Sequence, residues 1–245
     1  MALLVRLHYS PWSEKARWAL DHHRVAYELR EHAPILGEPL LRARARRLRG
    51  PVTVPLFVPD TGAPIMGSAA IARHADEVGR GARLFLPGRA DEVARWDARA
   101  DGLIELARVL VVARIEADPE IQRASLPPFL PSALRGALSP MAVMGSRFIR
   151  WKYAADGGED AVHDRMRRML DELRRALDGK PYLLGEFSFA DLAMAVAMQA
   201  VSPVEHAAWP ISAPIRRCWT TPEVAAEAAD LLAWRDRVFR DHRSA

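Results

Sequence analysis

A tyrosine and two serines lie together where a short apolar stretch meets the start of a helix. Tyr9, Ser10 and Ser13 follow the apolar residues Leu3–Leu7, and Pro11 favours a helix start at this point. The free N–H groups and the positive dipole end of a helix N-terminus stabilise an anion such as a thiolate. The same residues are also typical of a plain helix cap, with Ser10 or Ser13 as the N-cap residue. This segment alone therefore predicts either a cap or a site that handles sulfur.

The sulfur of such a site cannot come from the junction itself. The only cysteine, Cys218, lies far from it in sequence, which excludes a disulfide framework, a cysteine metal cluster and an intrachain dithiol couple. Eight histidines are present, and none has convincing metal-ligand spacing with a third ligand. We therefore expect no metal, and a thiol that is supplied by a bound molecule. The histidines that we place at the surface or at helix ends are His22, His23, His32 and His74.

Length, composition and charge limit the class of protein. The chain has 245 residues, enough for one large or two small domains, and it is 50% hydrophobic, which argues against disorder. We find no signal peptide and no apolar stretch of the ~20 residues that a membrane span needs, and we expect a cytoplasmic protein. The arginines between Arg42 and Arg49 lack interleaved aromatic residues, so we expect a solvated helix face and no nucleic-acid partner.

The first part of the chain alternates strand and helix patterns, and the Asp60–Gly62 turn between two apolar runs predicts a hairpin. A thioredoxin-like α+β unit has this element order. The predicted elements are a strand over 3–7, a helix over 12–23, a strand over 26–30, a helix over 39–48, hairpin strands over 54–58 and 63–66, and a helix over 68–78.

After residue 81 the pattern changes to amphipathic helices without strands. We predict helices over 90–116 and 162–177, a third that begins at Ser188 and a fourth near Pro222. The segment of about 118–153 interrupts this series, because its prolines between Leu126 and Pro131 exclude a continuous helix. Three interpretations are open for it: a lid over a pocket, a packing element, or a membrane-surface helix. We favour packing or a lid.

Four motifs in this order resemble the glutathione transferase family. Ser10-Pro11-Trp12 is similar to the Ser-Pro-aromatic motif of serine-type, bacterial-looking members, and Val54-Pro55 is similar to the family's Val-Pro dipeptide with a cis proline. Gly67-Ser68 resembles an acid-Ser pair whose serine caps the third helix of the family's first domain. In this chain Gly67 replaces the acid, which removes one family contact to glutathione. Ser188–Asp191 is similar to the family's capping box in the helical domain.

The resemblance implies an α+β thioredoxin-like glutathione-binding domain over 1–80, a linker over 81–89 and an all-α substrate domain over 90–245 with the insertion at about 118–153. It implies glutathione as cosubstrate, bound by Val54, Pro55, Gly67 and Ser68. Ser10, then Tyr9, then Ser13 are the candidates that activate its thiol.

A detoxifying transferase is the function that follows from this resemblance. It would form the glutathione thiolate and add it to a small apolar electrophile, or reduce a peroxide, as a homodimer. The alternative, a non-catalytic binding or scaffold protein with this fold, is favoured by Gly67 and by the long insertion.

Overall fold

The computed structural model describes residues 1–34, 36–128, 130–152 and 158–244. Its first part contains a mixed four-stranded sheet. The strands are β1 (Leu3–Arg6), β2 (Glu28–Glu31), β3 (Leu56–Val58) and β4 (Ile65–Met66). Their order in the sheet is β2-β1-β3-β4. β1 runs parallel to β2 and antiparallel to β3, and β3 runs antiparallel to β4.

Helices cover both faces of this sheet. They are α1 (Pro11–His22), α2 (Glu38–Arg44) and α3 (Ser68–Val78). Successive residues of a strand point to opposite faces. Leu4 accordingly packs with Leu20 of α1 and Ile71 of α3, whereas its neighbour Val5 packs with Leu41 of α2. Two adjacent apolar residues of β1 thus contact helices on opposite sides of the sheet.

The predicted thioredoxin-like order of strands and helices is confirmed. The bounds of α3 are those predicted from the sequence, 68–78. The helix predicted over 39–48 is wrong at its end, because α2 stops at Arg44. Arg46 has a left-handed backbone with φ 52°, and the arginine-rich stretch that follows lies outside the helix. Nothing in the arginine-rich sequence indicated that the helix would end at Arg44.

The second part of the described chain is helical. Its helices are α4 (Ala90–Ala117), α5 (Pro119–Ser125), α6 (Ser132–Lys152), α7 (Glu159–Leu177), α8 (Phe189–Ala197), α9 (Ala213–Trp219), α10 (Pro222–Ala226) and α11 (Ala229–His242), with a single 3-10 turn at Met198–Ala200. The sequence predicted α4, α7, α8 and α10. It missed α9, and it did not separate α11 from α10, because short helices between prolines carry too few turns for a periodic pattern.

The insertion forms two helices, α5 and α6, that pack against each other and against α4. The proline-rich link between them is not helical where it is described, as predicted. The last residue of the predicted insertion, Tyr153, lies outside the described residues. Within the described ranges, no helix combines the length and the apolar character that a membrane crossing requires. The packing against α4 supports the packing or lid interpretation of this segment.

α8 is completely buried at the centre of the helical part and begins with the predicted capping box. The Asp191 carboxylate accepts hydrogen bonds from the backbone N–H of Ser188 at 3.0 Å and from that of Leu183 at 2.7 Å. The Ser188 hydroxyl donates to the same carboxylate at 2.8 Å. Burial nevertheless raises the pKa of Asp191 to about 6.

This carboxyl predicts a pH-dependent stability. Because its native pKa is raised, the native state binds more protons than the unfolded state between about pH 4 and pH 6. The Asp191 carboxyl should therefore increase the free energy of unfolding as the pH falls. Relative to Asp191→Asn, which does not titrate, wild type should gain about 2 kcal/mol between pH 7 and pH 4 in urea titrations. Asp160→Asn, which changes an exposed carboxylate in the first turn of α7, is the control. A stability difference between wild type and Asp191→Asn that does not change with pH would contradict the prediction.

Candidate functional site

Ser10 occupies the cap position of α1, but its side chain does not act as a cap. The backbone N–H of Glu14 donates to the Ser10 carbonyl at 3.0 Å, and the Ser10 N–H donates to the carbonyl of Leu7. The Ser10 side chain makes no cap hydrogen bond, and among the described residues its hydroxyl has no partner. The residue is 9% exposed. Its hydroxyl is therefore available to a ligand at the start of the helix.

Ser13 and Tyr9 flank this hydroxyl in different ways. The Ser13 hydroxyl accepts a hydrogen bond from the backbone N–H of Leu7 at 3.2 Å, and the residue is buried. Ser13 thus stabilises the turn between β1 and α1. The Tyr9 ring lies edge-on to His8 at 4.9 Å, and burial raises the pKa of its hydroxyl well above the ordinary value. Tyr9 therefore keeps its proton at neutral pH and can act as a hydrogen-bond donor.

Tyr9 lines a cavity of about 130 Å³, which we call the apolar cavity because most of its lining residues are apolar. Its other walls come from the segment after β2, including Pro34, from Ile115 of α4, and from the insertion, including Leu126 and Met141. Leu103, also on α4, is fully buried in the helical core and does not line this cavity. The insertion covers the cavity and supplies most of its lining.

The pairing of the strands brings two of the motifs, Val54-Pro55 and Gly67-Ser68, to the same end of the sheet as Ser10. Val5 pairs with Leu56, and Leu56 pairs with Met66. Val54 and Pro55 before β3, and Gly67 and Ser68 after β4, consequently lie at the end of the sheet where β1 leads into α1. The Val54–Pro55 peptide bond is cis, as the resemblance implied. The Gly67 N–H donates to the Pro55 carbonyl at 3.2 Å.

Polar groups at this end of the sheet have no partners within the described chain. The backbone N–H and C=O of Val54 make no hydrogen bond there, and neither does the hydroxyl of Ser68. Ser68 is the first residue of α3, so the expectation that Ser68 itself is the cap is wrong: Gly67 is the cap residue. Gly67 has φ 89°, a backbone conformation that favours glycine. The free N–H groups of the first turn of α3 adjoin Ser68.

Sequence reasoning missed a buried ion cluster that joins α1 to α4. The Lys15 ammonium group, which is fully buried, lies 2.6 Å from Asp97 and 2.6 Å from Asp101. The indole N–H of Trp12 donates to Asp101 at 2.9 Å. Burial raises the pKa of Asp97. Lys15 stands among apolar residues of α1, and a lysine on the inner side of an amphipathic helix was the only available signal.

A second buried pair joins α1 to the residues after α11. The Arg243 guanidinium donates to Glu14 at 2.7 Å and to Asp21 at 2.8 Å, and both Arg243 and Glu14 are buried. Glu14 lies in the first turn of α1 and points into the protein. The Arg243 guanidinium also lies 5.7 Å from the Trp18 ring. Both ends of α1 are therefore fixed by the helical part of the chain.

The expected surface placement of the histidines is partly wrong. His23 does lie at a helix end, directly after the last residue of α1, but it is buried 3.2 Å from Asp76, and His32 is buried after β2. Burial lowers the pKa of both imidazoles. Burial also raises the pKa of the Cys218 thiol to about 12, so this thiol is not ionised at neutral pH. Within the described ranges, no group of three or more His, Cys, Asp or Glu side chains is placed to hold a metal ion.

Comparison with protein families confirms the resemblance drawn from the motifs. Residues 4–81 match the family described as Glutathione S-transferase, N-terminal domain. This part of the chain is similar to the N-terminal domain of that family, and the match covers residues 4–81 of the 245. A search of the curated proteins finds no significant match. The matched range contains the α1 junction, the Val54-Pro55 dipeptide and the start of α3.

Solved glutathione transferases share the fold over the whole chain. One from Phanerochaete chrysosporium has a TM-score of 0.66 at 15% identity, over 100% of this chain and 98% of that one. One from Pseudomonas fluorescens Pf-5, solved with bound glutathione, has a TM-score of 0.59 at 18% identity, over 98% and 95%. The Pseudomonas protein was also solved with S-(propanoic acid)-glutathione, with a TM-score of 0.57 at 17% identity, over 98% and 93%. The glutathione transferase architecture is thereby confirmed.

Proposed function

We propose that this glutathione transferase-like protein is an enzyme that binds glutathione as cosubstrate and activates its thiol. The observation that carries the proposal is the set of unpartnered polar groups at one end of the sheet: the Ser10 hydroxyl, the Val54 backbone and the Ser68 hydroxyl. The Val54 N–H and C=O would pair with the cysteinyl backbone of glutathione as an added strand. Ser68 and the first turn of α3 would bind the γ-glutamyl carboxylate. Glutathione bound in the related Pseudomonas structure supports this assignment.

One hydroxyl group is enough to activate the thiol. Lowering a thiol pKa by about 2 from its ordinary value of about 8.5 requires about 2.7 kcal/mol. A hydrogen bond to a charged acceptor contributes about 1.5–3 kcal/mol, and a helix N-terminus adds about 0.3–1 kcal/mol. We rank Ser10 first, because its hydroxyl is unpartnered at the start of α1. Tyr9 is second as a neutral donor, and Ser13 is third because it is more deeply buried than Ser10, in the turn where it accepts a hydrogen bond from Leu7.

The apolar cavity beside Tyr9 would hold the second substrate. In conjugation, the thiolate sulfur forms a bond to an electrophilic carbon, the bond to the leaving group breaks, and the leaving group departs with the electron pair. In peroxide reduction, two glutathione thiols are oxidised to one disulfide, while the hydroperoxide is reduced to an alcohol and water. With serine at position 10, no mixed disulfide can form on the protein at this site.

Other features of the proposal follow from the family resemblance. We propose a glutathione-binding domain over 1–80, a linker over 81–89 and a substrate domain over 90–245. We also propose a cytoplasmic homodimer with a role in detoxification, in which the first domain of one subunit contacts the helical domain of its partner. A non-catalytic binding protein is the second candidate, and Gly67 favours it because this position has no side chain to contact glutathione.

Ser68→Ala tests where glutathione binds. We expect its affinity to fall by about 1–3 kcal/mol, which is about fivefold to 150-fold in Kd, because a hydrogen bond to a carboxylate is lost. Isothermal titration calorimetry measures the change. Ser139→Ala on α6, away from the sheet end, is the matched control. An unchanged Kd for Ser68→Ala would show that the γ-glutamyl group binds elsewhere.

Ser10→Ala tests which group activates the thiol. The hydroxyl stabilises the thiolate far more than the thiol, so its removal should raise the pKa of bound glutathione and lower the conjugation rate with little change in glutathione affinity. The loss should be about tenfold or more in rate, the value of one charge-assisted hydrogen bond. Thiolate absorbance against pH gives the pKa, and Tyr9→Phe is the companion variant.

The pair of variants separates the candidates. If Tyr9→Phe raises the thiol pKa and Ser10→Ala does not, Tyr9 is the activating residue and the ranking is wrong. If wild type binds glutathione without lowering its thiol pKa, the enzyme proposal fails and the non-catalytic alternative takes its place.

A further inference from the structure

A second, more open cavity of about 530 Å³ adjoins the apolar cavity. We call it the basic cavity, because His8, Arg123 and Arg135 are among its lining residues. Leu126 lines both cavities, and the consecutive residues His8 and Tyr9 line one cavity each. The His8 and Tyr9 rings meet edge-on at 4.9 Å. The two cavities are therefore adjacent, and a molecule that occupied both would pass Leu126.

The charges that line the basic cavity are not balanced. Glu120, the one acidic residue among the described residues that line this cavity, forms an ion pair with Arg217 at 2.5 Å. Arg123 is exposed and has no hydrogen bond or ion pair to any described residue. Arg135 pairs with no described carboxylate. Two guanidinium groups thus face this cavity without a counter-charge from the described chain.

Arg135 is also held in place. Its Nε donates to the carbonyl of Leu130 at 3.0 Å, and one terminal nitrogen donates to the carbonyl of Pro128 at 2.9 Å. These neutral acceptors fix the guanidinium and leave its charge available. A fixed guanidinium group binds a carboxylate with less loss of side-chain entropy than a mobile lysine. His8 is fixed as well, since Nδ1 lies 2.8 Å from Glu31, and only Nε2 is left to contact a ligand.

We propose that the second substrate is an amphipathic organic anion, whose apolar body enters the apolar cavity and whose carboxylate binds Arg123 and Arg135 in the basic cavity. This inference rests on the proposed function, because it names the substrate class of the same site. The apolar cavity alone predicts only that the second substrate is hydrophobic. The basic cavity adds the prediction that this substrate also carries a negative charge. The electrophilic or peroxide group of such a molecule would lie on the body, beside Tyr9.

Binding can be tested without glutathione. The probes are 4-phenylbutyrate and its uncharged counterpart 4-phenylbutanamide, titrated into the full-length protein by calorimetry. We expect wild type to bind the carboxylate about tenfold more tightly or better, and the preference to shrink as salt is added. Arg135→Gln and Arg123→Gln should each reduce this preference, and the double variant should abolish it. Arg165→Gln, an exposed arginine on α7 that lines neither cavity, should leave it unchanged.

Turnover provides the second measurement. Glutathione reacts with 4-chloro-3-nitrobenzoate by forming a carbon–sulfur bond while the carbon–chlorine bond breaks, chloride leaves with the electron pair and the thiol proton goes to solvent. We compare kcat/KM for this acid with that for 4-chloro-3-nitrobenzamide, each divided by its rate with glutathione alone. The ratio should favour the acid about tenfold in wild type and should approach one in the double variant.

The two measurements separate this proposal from the proposed function. Equal binding of phenylbutyrate and phenylbutanamide, or a preference that survives both arginine substitutions, overturns the anion site whether or not glutathione is conjugated. A carboxylate preference that depends on both arginines supports the anion site even if no conjugation occurs, and in that case it is the transferase proposal that fails.

Discussion

Replacing Arg243 with methionine is expected to lower the free energy of unfolding by about 3–5 kcal/mol. The guanidinium is buried, and its removal leaves the buried Glu14 carboxylate without its closest cation. Burial already raises the pKa of Glu14 despite the neighbouring Arg243 and Arg17, so the unpaired carboxylate would be costly. Urea unfolding followed by circular dichroism measures the loss.

A double-mutant cycle distinguishes this pair from a general packing effect. Glu14→Gln removes the charge that Arg243 neutralises, so the double variant should lose less stability than the sum of the two single variants. Arg240→Met, which breaks an exposed pair with Asp241, is the matched control and should cost about 0–1 kcal/mol. Additive losses, or a loss from Arg243→Met no larger than that of the control, would show that the buried pair contributes little.

Replacing Lys15 with methionine is expected to cost about 3 kcal/mol or more, because the largely buried Asp97 loses its cation. Asp101 is more exposed, with 40% of its side chain accessible, and it should contribute less. Burial raises the pKa of Asp97 even with Lys15 present. Without the lysine, protonation of Asp97 relieves the cost at lower pH. The loss should therefore be smaller at pH 5 than at pH 7.

Exposed Arg99 provides the control for this prediction. It pairs with Glu172 between α4 and α7, so Arg99→Met breaks an ion pair on the same helix without leaving a buried charge. Its cost should be about 0–1 kcal/mol and should not depend on pH between 5 and 7. If Lys15→Met matches it in both respects, the Lys15 cluster does not hold α1 against α4.

Local patterns predicted the parts of the site that depend on neighbouring residues. The strand followed by Ser-Pro, the hairpin turn and the start of α3 each have a signal within a few residues, and the structure confirms all three elements. The bounds of α2 were wrong because the stop at Arg44 depends on a left-handed residue, Arg46, for which an arginine gives no sequence signal. The pairing of β3 with β1 and with β4 places Val54 and Ser68 at the same end of the sheet as Ser10.

Contacts between distant parts of the chain could not be predicted in the same way. His23 is buried because Gly79 and Gly81 approach it so closely that a Cβ on Gly79 would lie 2.4 Å from the His23 Cβ. The partners of Lys15 are more than 80 residues away. No periodicity relates such residues, since their contact follows only from the packing of helices that are far apart in sequence. The basic cavity is a further case, since it combines His8 with two arginines of the insertion.

The anchoring of α1 also has a consequence for the order of events during synthesis. Glu14 and Arg243 are 229 residues apart, and Lys15 finds its partners only on α4. A nascent chain that has emerged only as far as α3 would lack both carboxylate partners of Lys15 and the Arg243 partner of Glu14. Helix α1, which begins directly after Ser10, therefore completes its native ion pairs only after residue 243 has left the ribosome. Until then, a chaperone or solvent must accommodate these charged side chains beside the candidate site.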